Sequence, residues 1–263
     1  MLAERYPLDD HTIAAFRKNG WIKLDQVLDP SYVEQFRKEI SRVVAEESRN
    51  SKPLEERDTY DKAFLQITNL WQRHPGVASF TLAKRFGGIA AELLGVNRVR
   101  IYHDQALYKE AGGGRTPWHQ DQYYWPVDTN NTVTMWMPLV DLTEDMGILQ
   151  FVSATHLMDS IKSVEISDES DRYFAAFVNK NKLNYSNITS SKAGDASFHY
   201  GWTLHYAPGN FSARLREVMT VIYVADGARV TEPEHDAQKL DLKTWFPGLK
   251  PGDLVSSHLN QRV

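Results

Sequence analysis

The sequence predicts a mostly β domain, a sandwich or jelly roll with helices flanking it, and three observations carry that prediction. Over roughly the first ninety positions apolar residues recur at helical spacing, and from Val99 they recur at every second position. The later runs are short and lie between clusters of Gly, Pro, Asn and Asp. Helices first and many short strands afterwards do not fit the strand–helix alternation of a parallel α/β sheet.

The elements follow in order. Asp9 or Asp10 caps a short helix through Phe16 that stops at Asn19-Gly20. A second helix starts at Asp29-Pro30, where proline suits the first helical position, and Val33, Phe36, Ile40 and Val43-Val44 form its apolar stripe. A third apolar-periodic run lies between Val77 and Leu94 and ends near Gly95. Val99–Tyr102, Thr132–Met137, Leu149–Val152 and Val218–Val224 read as strands. Residues 164–192 are polar yet carry Tyr173, Phe174 and Phe177, which reads as an irregular lid or as a surface excursion with one helical turn. One domain is expected, with helical support over 1–97, a β core over 98–230 and a C-terminal extension over 231–263.

Composition narrows the function. A chain of 263 residues that is 42% hydrophobic and 24% charged can bury a full core. A formal net charge of -4 leaves no surplus of cations for a phosphate backbone or an anionic bilayer, so neither nucleic acid nor membrane is an expected partner. The absence of cysteine removes disulfides, thiolate-held zinc and thiol nucleophiles, so a metal must be held by imidazole and carboxylate. The opening residues meet charge before any apolar run, and the expected setting is cytoplasmic. The sequons at Asn187 and Asn210 then read as chance matches.

The chemistry is concentrated around Trp118-His119-Gln120-Asp121. On an extended segment residues i and i+2 share a face, so His119 and Asp121 present two ligands to one point. A third imidazole comes from the block Gly194…His205, with Arg216 eleven residues beyond its end. Two imidazoles and a carboxylate on one side of a metal suit a non-haem Fe(II) oxygenase. His199 rivals His205 as third ligand, and periodicity does not separate them. His103-Asp104 is a rival pair, but adjacent strand residues point to opposite faces unless a bulge intervenes. Gly112-Gly113-Gly114-Arg115 lacks the Lys-Ser/Thr of a phosphate loop and reads as a flexible approach to the ligand strand. Among Trp118, Tyr123, Tyr124 and Trp125, the two tyrosines are expected to line a substrate pocket and the others to pack in the core.

Three blocks, His119-Gln120-Asp121, Gly147–His156 and Gly194…His199…His205…Arg216, resemble those of the phytanoyl-CoA dioxygenase-like family of Fe(II)/2-oxoglutarate oxygenases. The opening helices through Asn19-Gly20-Trp21 and the closing Trp245-Phe246-Pro247-Gly248 are similar to that family too. The resemblance implies a double-stranded β-helix with N-terminal helices packed on the sheet. It also implies iron on His119, Asp121 and His205, and the distal carboxylate of 2-oxoglutarate on Arg216. A guanidinium fork suits that carboxylate, and Thr220 on the same strand face adds a hydroxyl. Gln105, Gln120 and Trp136 fall where the family touches the co-substrate. The sequence departs from the family in two places. Ala207 stands where a small hydroxyl residue is common, and Ser153-Ala154-Thr155-His156 replaces a usual turn, with His156 structural.

The resemblance further implies that O2 and 2-oxoglutarate are consumed, with succinate and CO2 released, as an unactivated C–H bond is oxidised. Asp121 retains the carboxylate that halogenating relatives lack, so hydroxylation or a related oxidation is expected. The expected substrate is a small molecule of natural-product type, with a fatty acyl thioester as the alternative. Two other classes use the same ligands: a Zn(II) hydrolase, in which Arg216 has no necessary part, and a non-catalytic metal-binding jelly roll.

Overall fold

In the computed structural model, which describes residues 1–57 and 61–263, helix α1 (Asp10–Asn19) begins where Asp9 accepts a hydrogen bond from the Thr12 amide. It ends on Gly20 at φ 85°, a left-handed residue whose missing side chain leaves room for the His156 ring. Strand β1 (Trp21–Leu24) follows, and α2 (Pro30–Glu47) starts on the Asp29 cap with Pro30 in its first turn. After β2 (Leu65–Thr68) come α3 (Leu70–Arg73), α4 (Pro75–Thr81) and α5 (Lys84–Leu94). The apolar run from Val77 to Leu94 is thus two helices and not one. Ala83 is extended between them, and Phe80 and Phe86 pack edge to face across the break with ring centroids 5.0 Å apart.

The β half holds β3 (Val99–Tyr108), β4 (Thr116–His119), β5 (Thr132–Pro138), β6 (Leu142–Thr143) and β7 (Gln150–Phe151). Helix α6 (Asp168–Lys180) interrupts it before β8 (Ser190–Ser191), β9 (Ala196–Tyr200), β10 (His205–Ala207) and β11 (Val218–Ala225), and α7 (Asp236–Trp245) comes last. Six strands form one antiparallel sheet in the order β1-β9-β5-β11-β3-β2, and β4-β10-β7 form a smaller sheet opposite it. This is the jelly roll expected from the sequence. Trp21 of the large sheet stacks on Phe151 of the small one at 5.2 Å, which ties the two layers.

Alternation along the central strands separates two environments. Val133, Met135, Met137, Met219, Val221 and Tyr223 face α1, α2, α4 and α5 and form the main core with Phe16, Val33, Ile40, Phe80 and Ile89. Each such buried side chain contributes about 1.5–3 kcal/mol. The intervening residues, Thr134, Trp136, Thr220 and Ile222, face the gap between the sheets. Strand β3 runs past the predicted end at Tyr102 because its polar stretch His103-Asp104-Gln105 still pairs with β11, Ile222 with His103 and Thr220 with Gln105. The register then jumps so that Tyr223 pairs with Ile101, leaving Tyr102 as a bulge. Tyr102 and His103 therefore both face inward, while Asp104 points to the helices.

Residues 164–192, expected as an irregular lid or an excursion with one helical turn, contain the 13-residue helix α6. Its Ser-Asp-Glu-Ser opening is a helix start: Ser167 accepts from the Ser170 amide, the Ser170 hydroxyl accepts from the Ser167 amide, and Asp168 and Glu169 lie at the positive end. Phe174 and Val178 bury the inner stripe against Trp118 and Leu204. The C-terminal extension returns along β3, where Asn260 donates to the Ile101 carbonyl at 3.1 Å and Val263 donates to Val99. No helix among the described residues is long and apolar enough to cross a membrane.

Asp104, itself buried, anchors α3 and α4 to the sheet by accepting from the amides of Leu70 (2.8 Å) and half-buried Trp71 (3.1 Å) and from the buried Thr81 hydroxyl (2.8 Å). Asp104→Ala strands three donors and is expected to lower stability by about 2–4 kcal/mol. Urea unfolding checks this, and an unchanged midpoint would show that the contacts are not needed.

Candidate metal centre and cavity

His119 ends β4, Gln120 continues extended at φ -121° and ψ 121°, and Asp121 opens a 3-10 turn, so the i, i+2 geometry expected of the pair survives although the strand has ended. His205 opens β10 directly opposite His119 in the ladder. The two imidazole Nε2 atoms lie 3.4 and 3.6 Å from Asp121 Oδ1, and the three ligand atoms fall within 4.8 Å of one another. Each ring is held by its other nitrogen, which donates to a backbone carbonyl: His119 Nδ1 to Pro117 at 2.7 Å and His205 Nδ1 to Thr203 at 2.9 Å. That fixes the tautomers with the Nε2 lone pairs aimed at the shared point.

The carboxylate is divided between two jobs. Its Oδ2 accepts from the Thr134 hydroxyl at 3.0 Å and from His199 Nε2 at 3.2 Å, which leaves Oδ1 for the metal. Burial alone would raise the Asp121 carboxyl, but the imidazoles of His205, His119 and His199 reverse this and hold it well below the usual range. Burial, followed by the proximity of His119, pushes His205 well below its ordinary value, so it is the neutral ligand a metal needs. His199 thus joins the site without being one of the three.

The centre opens into a cavity of about 340 Å³ between the sheets. Two inward rungs of the large sheet floor it: His103, Ile222, Thr134 and His199 form one, and Gln105, Thr220 and Trp136 stand beside them in the next. Farther along lies Arg216, 1% exposed, whose Nη1 donates to the Gly147 carbonyl at 2.6 Å and whose guanidinium sits 5.6 Å from the Trp136 ring centre. Its Nε has no hydrogen-bond partner among the described residues. Burial lowers Arg216 to about 9, which leaves it charged at neutral pH. Burial and then the charge of Arg216 bring its neighbour Lys109 down to about 6, so Arg216 is the cation at this end of the cavity. Gly147, at φ 74°, permits the arrangement, since a Cβ there would stand 2.4 Å from the Pro208 carbonyl oxygen.

Of the residues singled out from sequence, His119, Asp121, His205, Arg216, Gln105, Trp136, Thr220 and Tyr124 line this one cavity. Gln120 is placed elsewhere. It sits between two inward residues and so points away, with its amide donating to the carbonyls of Asp159 (2.9 Å) and Trp202 (2.7 Å). Tyr123 also faces elsewhere, stacked 4.1 Å from His235 in a neighbouring depression, while Trp125, expected in the core, lines the cavity with Tyr124. The rivals separate as strand geometry requires, with His103 inward and Asp104 outward. Nothing in the sequence marked Thr116, Thr134 or Asp241 as cavity residues, since none of them belongs to a motif, and Trp245, which stands in the closing block similar to the family, was not expected to reach the cavity. Thr116 pairs across the ladder with Ala207, so the hydroxyl missing at Ala207 stands on the opposite strand.

Residues 16–218 match the family described as phytanoyl-CoA dioxygenase (PhyH). No curated protein matches the chain significantly in sequence. Among solved structures, the non-haem α-ketoglutarate-dependent carbocyclase SnoK from nogalamycin biosynthesis is 24% identical, with 97% of this chain and 96% of that one covered and a TM-score of 0.79. The epimerase SnoN, in complex with Fe3+, α-ketoglutarate and nogalamycin RO, is 21% identical over 96% of this chain and 97% of that one, with a TM-score of 0.76. EctD from S. alaskensis, with 2-oxoglutarate and 5-hydroxyectoine, is 19% identical over 88% and 82%, with a TM-score of 0.70.

The two histidines flanking Asp121 are distinguishable by metal titration. His205→Ala is expected to abolish stoichiometric Fe(II) binding, whereas His199→Ala weakens it about 10–100-fold by freeing Oδ2. The reverse order of effects would exchange their roles.

Proposed function

Because this chain belongs to the phytanoyl-CoA dioxygenase family of non-haem iron, 2-oxoglutarate-dependent oxygenases, we propose that it oxidises an unactivated C–H bond of a small organic molecule of natural-product type, with hydroxylation as the outcome. The observation that carries the co-substrate assignment is Arg216, a fully buried guanidinium with an unpartnered Nε in the same cavity as the metal triad. A buried cation without a counter-ion is costly, and a dicarboxylate supplies the missing charge in bidentate geometry. A Zn(II) hydrolase would share the triad and leave this arginine unexplained.

In this reading His119, Asp121 and His205 hold Fe(II), and Arg216 takes the far carboxylate of 2-oxoglutarate. When bound, iron and the keto acid supply the oxidising power, consuming O2 and releasing succinate and CO2. The protein's own residues orient and enclose. Thr220 and Thr116 line the same cavity as Arg216, with the Thr220 hydroxyl donating to the Gln105 carbonyl at 3.2 Å, Trp136 forms the wall under the guanidinium, and Gln105 packs against Gln66 at the cavity edge. Thr134 and His199 keep Asp121 turned so that a single oxygen faces the metal. Retention of that carboxylate favours oxidation over halide transfer. Ile166, just ahead of α6, lines the cavity and donates its amide to the Tyr124 hydroxyl at 2.8 Å, so the segment leading into α6 covers the cavity there and limits the access of water. The nogalamycin-pathway enzymes and EctD, similar in fold over most of the chain, support a small-molecule substrate.

Anaerobic addition of Fe(II) and then 2-oxoglutarate is expected to produce the visible charge-transfer band of the chelate, and admitting air to consume 2-oxoglutarate. Arg216→Leu should raise the apparent Kd for 2-oxoglutarate about a hundredfold or more, equivalent to about 3 kcal/mol, with Fe(II) still bound. Its thermal midpoint should hold or rise, since a buried charge is removed. Undiminished affinity in the variant, or no band in the parent, would overturn the assignment.

A further inference from the structure

The cavity contains a second ionisable side chain without a partner of opposite charge among the described residues. Asp241 of α7 lines it, accepting a hydrogen bond from the Tyr102 hydroxyl at 2.8 Å and another from the Trp245 indole one helical turn along. No lysine or arginine pairs with it among the described residues, and burial pushes its carboxyl up to about 7. His103 cannot supply the charge, because burial brings it down to about 4. Both contacts at Asp241 come from donors, and the indole N–H can only donate, so the carboxylate form is the one provided for.

The wall around Asp241 is aromatic. The bulge that turns Tyr102 and His103 inward also docks α7: His103 stacks on Trp245 at 4.4 Å, and Tyr102 meets Phe246 at 4.8 Å and Trp125 at 5.3 Å. Arg216 precedes β11, whereas His103 lies opposite Ile222 in that strand, so the acidic wall and the guanidinium sit at different levels of the sheet. A carboxylate set among indole and phenol faces suits an organic cation, which gains an ion pair and cation–π contacts where water is scarce.

Resting on the oxygenase reading of the same site, we propose that Asp241, with Trp125 and Trp245, forms a substrate subsite for a protonated amine, so that the substrate is an amine-bearing organic molecule. The amine is held beside α7 while the remainder of the molecule extends toward the metal. A neutral hydroxyl held by a protonated Asp241 is the competing arrangement.

The test is calorimetric titration of the anaerobic Fe(II)–2-oxoglutarate complex with 2-phenylethylamine and with its neutral counterpart 2-phenylethanol. The amine is expected to bind about tenfold more tightly or better. Asp241→Asn, which keeps side-chain size and an acceptor for Tyr102, should bring the amine to the affinity of the alcohol while leaving 2-oxoglutarate affinity unchanged. Equal binding of the two probes to the parent protein, weak binding of both included, overturns the proposal, as does a preference that survives Asp241→Asn. If the protein binds no 2-oxoglutarate the oxygenase reading falls by itself, and the same pair of titrations on the metal-free protein still decides the amine subsite.

Discussion

Strict alternation along β5 and β11 gives the central sheet one face for the helices and another for the cavity, and each residue's role follows from its parity. Val133, Met135, Met219 and Val221 are out of water on one side. One step away on the same strands, Thr134, Trp136 and Thr220 meet the site. A shift of one residue in either strand would send methionines to the metal and threonines to the core, so packing of the helices also sets the register of the chemistry. Asp104 illustrates the coupling: it holds α3 and α4 on the outer face while its neighbours His103 and Gln105 point into the cavity.

Within the cavity the dominant effect is the cost of burying charge. The triad meets that cost with hydrogen bonds, since both imidazoles are tied to carbonyls and the outer oxygen of Asp121 to Thr134 and His199. Arg216 and Asp241 meet it only in part: each is hydrogen-bonded to neutral groups and has no oppositely charged partner among the described residues, which leaves room for one that enters. Lys109 shows the other response to the same pressure. Packed against Arg216 and bonded to the Gly114 carbonyl, it is lowered to about 6 and gives up its charge above that pH. Two cations are adjacent in sequence pairing, but only one remains ionised at neutral pH.

His199 and His205 show why chemical type is not enough to identify a ligand. Both imidazoles reach the same carboxylate, from different sheets. His205 approaches from the small sheet beside His119 and faces Oδ1, whereas His199 rises from the floor and takes Oδ2. The carboxylate therefore separates them: in the proposed site His205 shares Oδ1 with His119, and His199 is a support that keeps that oxygen turned toward the metal position.

The amino-acid sequence by itself determined the helix ends, through Asp9, Gly20, Asp29-Pro30 and Gly95, and the faces of the long strands, because caps and period-two patterns are local. It also determined the His119-x-Asp121 pair, since extended backbone alone puts the two on one side. Local pattern misread the start of α6 as loop because the same serines and aspartates favour both turns and helix caps, and it missed the break between α4 and α5, which only aromatic packing reveals. The tertiary structure decided the rest: the bulge at Tyr102, the outward turn of Gln120, the approach of His199 and His205 to different oxygens of Asp121, and the arrival of Asp241 in the cavity. Each depends on cross-strand register or on docking of a distant helix, and such interactions between residues far apart in the chain leave no period to read.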